Sequence, residues 1–188
     1  MFRKILFLLF LGLTALPAAG EDLILRPSVL KPIGDFSVMA GTGYGFFASI
    51  DSIYDKKYRL GITAGYSYFP GEYKSETGMQ EIENFYIIPV MIKAAYIFNV
   101  TRKIAITPTA ECGIARVNMN YITRSASTGL LTEKASSGFD PIAVFNLNLD
   151  YNITRNVFTG INGGYGVIYE EKGDLGFILA GLTIGMRF

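Results

Sequence analysis

Near the end of the chain, Ile178, Ala180, Leu182, Ile184, Met186 and Phe188 are apolar at every second position, with Gly181, Thr183, Gly185 and Arg187 between them. That period assigns one set of side chains to each face of a β-strand. It recurs upstream. Tyr58, Leu60, Ile62, Ala64, Tyr66 and Tyr68 alternate with Arg59, Gly61, Thr63, Gly65 and Ser67. Tyr86, Ile88, Val90, Ile92, Ala94, Tyr96 and Phe98 form a longer row with Lys93 on the other face, and Pro141, Ala143, Phe145, Leu147, Leu149 and Tyr151 alternate with Asn146, Asn148 and Asp150. Phe36, Val38, Ala40, Tyr44, Phe46, Ala48 and Ile50 make another such row. From Ile104 the apolar row holds to Ile114 and changes phase near Arg116, where Val117, Met119 and Tyr121 take over, which implies a bulge. Asp22 to Leu30 reads as a short strand broken by Pro27, followed by a tight turn over Lys31–Asp35.

The connections between these strands alternate in character. Asp51–Lys57, Asn99–Lys103 and Asn152–Asn156 are short, and the last two share the pattern Asn-x-Thr-Arg, so they are expected as equivalent turns on one rim. Pro70–Glu83 and Thr123–Gly138 are long and polar, and Glu170–Asp174 is a further loop. No apolar run after residue 20 is long enough for a membrane helix, which needs about 20 residues. Hydrophobicity spread in period two, in strands longer than the roughly 9 to 11 residues that cross a bilayer core, predicts an all-β fold. The expected architecture is a transmembrane antiparallel up-and-down β-barrel of about eight strands. Aromatic girdles are expected at Tyr66, Tyr68, Tyr86, Tyr121, Tyr165 and Tyr169 on the loop side and at Tyr58, Tyr96, Phe98, Tyr151 and Phe188 on the turn side.

Residues 1–20 carry Arg3 and Lys4, an apolar run from Ile5 to about Leu16, and Ala18-Ala19-Gly20 before Glu21-Asp22. This predicts a cleavable signal peptide over 1–20 and one barrel domain over 21–188. The apolar run is too short for an uncleaved membrane anchor. No cysteine stands directly after the cleavage site, which argues against a lipoprotein, and the lone Cys112 can form no internal disulfide. It falls on the outward row beside Ala110 and Ile114, where a small apolar side chain suffices. With 17 Lys+Arg against 16 Asp+Glu, nothing in the charge balance points to nucleic acid.

The turn Pro32-Ile33-Gly34-Asp35-Phe36, Tyr66-Ser67-Tyr68-Phe69 before a long loop, Ile88-Pro89-Val90, the Asn-x-Thr-Arg turns and the terminal Met186-Arg187-Phe188 resemble the small eight-stranded bacterial outer-membrane barrels. These are the OmpA transmembrane-domain and OmpX-like proteins, within the broad outer membrane protein β-barrel domain group. The resemblance implies outer-membrane lipid as surroundings and the barrel-assembly machinery as a partner. The assembly signal would lie at Leu182, Ile184, Met186 and Phe188. These motifs speak for architecture more than for function.

A barrel of eight strands is narrow enough to be filled by its own side chains. Lys93 and Glu111 have inward parity on neighbouring strands and are expected as a lumenal polar pair. With Arg59, Asp150 and Arg187 they form either a fixed plug or, on a sharper reading, a gate, and the plug needs no transport role to explain it. The chain has no histidine, so Ser-His and Asp-His catalysis is unavailable and a metal site lacks its commonest ligand. No enzyme activity, cofactor or metal is expected. The Asn99-Val100-Thr101 and Asn152-Ile153-Thr154 triplets read as turn formers instead of glycan acceptors. The expected function is a structural or surface-interaction role, with the long loops meeting a host or envelope partner. The alternative is a narrow pore or a transporter of small or hydrophobic solutes. A soluble calycin-type barrel would need a greasy interior, whereas the inward row here is rich in Gly, Ser, Thr, Asn and charge.

Overall fold

The computed structural model describes residues 21–73, 80–124, 131–171 and 173–188. The predicted signal segment therefore lies outside the described residues. The strands are β1 (Glu21–Ile33), β2 (Gly43–Tyr54), β3 (Tyr58–Pro70), β4 (Gln80–Tyr96), the two-residue β5 (Phe98–Asn99), β6 (Ile104–Arg124), β7 (Leu131–Asn152), β8 (Val157–Ile168) and β9 (Leu175–Arg187), with one helical turn, α1 (Phe36–Met39), after β1. Every pairing is antiparallel, the sheet order is β4-β3-β2-β1-β9-β8-β7-β6-β5, and β4 also pairs with β6. That last pairing closes the sheet. Because β5 only continues β4 past Ile97, the result is an eight-stave up-and-down barrel with Glu21 and Phe188 on the same rim as the short turns.

Its outer wall is apolar. Ile92, Phe145, Leu182 and Ile184 are each more than half exposed, and the outward rows of neighbouring staves merge into one belt. Such a belt is a liability in water and the requirement for a barrel in lipid. Aromatic rings edge it on both sides. Tyr44, Tyr66, Tyr68 and Tyr86 pack together with centroids 5.3 to 5.9 Å apart on the loop side. Tyr58, Tyr96 and Phe98 do so at 5.2 and 4.4 Å on the turn side.

The equivalent turns are built alike: Thr101 Oγ1 accepts from the N–H groups of Lys103 and Ile104 at 3.1 and 3.0 Å, and Thr154 Oγ1 accepts from those of Asn156 and Val157 at 3.2 and 3.0 Å. The remaining turn on this rim places Asp55 and Lys56 at φ 50° and 57°, the hairpin geometry that follows the twist of its strands.

Several expectations are corrected. β1 is a complete stave: Pro27 lies on the outward row, and the ladder to β9 merely skips Arg26 and Pro27, where proline has no N–H to give. β2 begins at Gly43, not at Phe36. Gly34, at φ 60°, reverses the chain after Ile33, and α1 then turns Phe36 and Ala40 into the barrel mouth instead of outward. Asp51 belongs to β2 and faces the lumen, so the polar connection shrinks to Asp55–Lys57. β6 carries no bulge near Arg116, since it pairs with β7 without a break, and the one register shift against β4 lies between Ile82 and Asn84. What changes at Arg116 is the lumen, which turns apolar, so Val117, Met119 and Tyr121 belong to the inward row and Tyr121 is no girdle residue. The supposed loops are also partly strand. β6 and β7 continue to Arg124 and from Leu131, and β4 starts at Gln80.

Several inward glycines are seats for large rings on the next stave. Phe47 lies across from Gly65, Phe158 from Gly185 and Phe177 from Gly166, and a Cβ at any of these glycines would collide with the ring. Small and large inward residues thus fill a narrow barrel by covering one another.

Candidate functional site

The lumen has two layers. Towards the loop rim, Leu30, Phe47, Phe69, Phe85, Met91, Val117, Ile142, Ile168 and Phe177 form one buried apolar cluster. Phe36 of α1 caps it, with its ring 5.0 Å from Phe69 and 5.3 Å from Phe85. Towards the turn rim the inward row is charged. Arg26, Arg59, Lys93 and Arg187 are equalled in number by Asp22, Asp51, Glu111 and Asp150, and all but Arg187 are nearly fully buried.

All of these charges but Asp150 fall into two assemblies. Asp22 on β1 accepts from Arg59 of β3 at 2.7 Å and from Arg187 of β9 at 3.1 Å. Arg59 also lies 3.7 Å from Asp51, and Lys93 of β4 donates to Asp51 at 2.7 Å and to Ser49 Oγ at 3.1 Å. The second assembly is Arg26 with Glu111 at 2.6 Å, to which Asn146 adds a weak contact of 3.4 Å. β2, β3 and β4 separate β1 from β6 one way round the barrel, and β7, β8 and β9 separate them the other way. The Arg26–Glu111 pair therefore crosses the full width of the lumen.

Lys93 and Glu111 do face inward and are direct cross-strand neighbours in the β4–β6 ladder. Their ion partners are nevertheless Asp51 and Arg26, not each other. Inward side chains of a closed barrel converge on its axis, and there a long arginine from the opposite wall reaches Glu111. Arg59, Asp150 and Arg187 fall in the same layer, with Asp150 accepting from Thr107 Oγ1 at 3.0 Å. Sequence reasoning missed Arg26, because Pro27 had made β1 look interrupted, and Asp22 with it. It missed Asp51 by placing that residue in a turn. The available signal was parity, since all three fall on inward positions once β1 and β2 are extended.

On the turn rim a cavity of about 570 Å³ opens towards this layer, with Arg59, Asp150, Phe158 and Arg187 among its lining. The Phe158 ring is held by two guanidinium groups, Arg59 at 5.4 Å and Arg187 at 5.6 Å from its centroid. Beyond the cavity stand the ion pairs and then the apolar layer. Leu182, Ile184 and Met186 lie on the exposed outward row of β9, and Phe188, just past its end, is exposed as well.

The loop rim is uneven. The β6–β7 ladder runs to Arg124 and Leu131, whereas β8 pairs with β7 only from Ile142 onward. From Leu131 to Asp140, β7 thus projects as a strand bound to β6 along one edge, and no described strand pairs with its other edge.

No family model matches the sequence, and no curated protein does. Among solved structures the chain is similar to the attachment invasion locus protein Ail of Yersinia pestis, with a TM-score of 0.56 at 10% identity over 90% of this chain and 99% of that one. A major outer membrane protein from Thermus thermophilus gives 0.55 at 10% identity over 89% and 99%. OprG from Pseudomonas aeruginosa gives 0.53 at 11% over 90% and 96%. At such identities the likeness is one of fold, and that fold is the closed, small, antiparallel β-barrel of outer-membrane proteins.

Proposed function

We propose that this protein resides in the bacterial outer membrane and works as a noncatalytic surface-interaction protein, its loop rim facing outward to meet a host or envelope partner. The observation that carries this reading is the projecting segment of β7, whose outer backbone edge is unpaired from Leu131 to Asp140 among the described residues. An exposed strand edge is a template for another strand. The closed lumen supports the same reading. A transluminal ion pair and a capped apolar layer leave the barrel as a rigid pedestal, so a conduit role has little in its favour.

The test is fractionation of cells producing the full chain, combined with external protease treatment. The reading expects Glu21 as the mature N-terminus, recovery with outer-membrane lipid, and cleavage of intact cells confined to the loop-rim segments. Recovery as a soluble periplasmic protein would refute it, as would steady ion conductance of the purified barrel in planar bilayers.

A further inference from the structure

A pocket of about 460 Å³ opens on the loop rim beside the projecting strand. Ser136, Ser137 and Gly138 of β7 form one side of it, and these lie within the segment whose outer edge no described strand pairs. Phe85, Val117 and Leu175 contribute an apolar floor. The rim carries Asp35, Asp140, Glu171 and Asp174, and no lysine or arginine is among the described residues that line it.

We propose that this mouth binds an extended basic segment of a partner polypeptide, which adds a strand to β7 while a lysine or arginine side chain enters the acidic rim. Resting on the surface-interaction reading above, this names the chemical class of the partner. Unpaired N–H and C=O groups along β7 are complementary to another backbone. Carboxylates gathered on one rim repel one another and gain from a cation brought among them. The apolar floor gains from hydrocarbon, which the stem of lysine or arginine, or an apolar neighbour on the same segment, supplies. An acidic segment or a nucleic acid meets like charge here. An inorganic cation would leave both the floor and the strand edge unused.

The full mature barrel in nanodiscs of zwitterionic lipid provides the test, read by fluorescence anisotropy. The probe is a labelled peptide of alternating Lys and Val, with three controls: Gln in place of Lys, Glu in place of Lys, and the Lys peptide N-methylated at alternate residues. The Lys peptide is expected to bind, the Glu peptide not to, and N-methylation to abolish binding. The variant D140N/E171Q/D174N, shown to be folded by its heat-modifiable band, is expected to bind the Lys peptide at least about tenfold more weakly, and added salt to weaken the wild-type complex. Equal binding of the Lys and Gln peptides, or an unchanged affinity in the variant, overturns the basic class while leaving the strand edge in play. Binding that survives N-methylation, or matches that to empty nanodiscs, overturns the strand-addition geometry. Absence of binding by the Lys peptide overturns the proposal outright. Surface exposure itself is judged separately, by the protease experiment above.

Discussion

Replacing Glu111 by Gln strands the guanidinium of Arg26 at the centre of the barrel. The two side chains are 3% and 0% exposed and 2.6 Å apart, so neither can turn to solvent when its partner is lost. Removing one member of a buried pair costs about 3–5 kcal/mol, because the remaining charge keeps its desolvation penalty without its attraction. Gln retains an acceptor oxygen, so E111Q belongs at the lower end of that range and R26M at the upper. The double variant R26M/E111Q removes both charges and keeps the lumen filled by side chains of similar bulk. It should recover to within about 1 kcal/mol of wild type, a coupling of several kcal/mol across the barrel. The chain has no tryptophan, so unfolding by urea in phospholipid vesicles is best followed by far-UV circular dichroism and by the heat-dependent shift of the folded band. Losses that simply add in the double variant, or single losses under about 1 kcal/mol, would refute the transluminal pair. A parallel cycle on Lys93 and Asp51 should show strong coupling as well. The cycle on Lys93 and Glu111, adjacent in the ladder but paired elsewhere, should show much less.

Gly185→Ala should destabilise the barrel by about 1–3 kcal/mol, because the new Cβ meets the Phe158 ring, and F158L in the same chain should relieve much of the loss in the same urea titration. Phe188→Asp should lower the yield of folded barrel in cells far more than Arg187→Gln, since Phe188 stands on the exposed apolar row whereas Arg187 is a part-exposed partner of Asp22; equal yields would contradict the assembly role. Thr101→Ala and Thr154→Ala should each cost about 1 kcal/mol or less, as each removes one acceptor from a solvent-exposed turn, and a markedly unequal pair of losses would show that the turns are not equivalent.

Much of the outer wall was legible in the sequence, because a lipid-facing row is a local pattern: Tyr58 to Tyr68, Tyr86 to Tyr96 and Ile178 to Phe188 declare their face through period two alone. The barrel class, the turn rim with its two threonine-built turns, and the inward placement of Lys93 and Glu111 followed from that pattern. The interior did not, since inward residues answer to partners on staves far apart in sequence. Arg26 meets Glu111 only because closure brings β1 and β6 face to face, and no spacing along the chain encodes a diameter. Phe36 continued an apolar alternation and yet sits in the mouth, because Gly34 turns the chain and the ring gains more by packing on Phe69 and Phe85 than on the outer wall. Glycines read as a small, polar lumen proved to be seats for Phe47, Phe158 and Phe177. Which strand runs on past its neighbour was likewise a matter of tertiary pairing. A row of period two tells which way a residue faces; only the closed sheet decides what it faces.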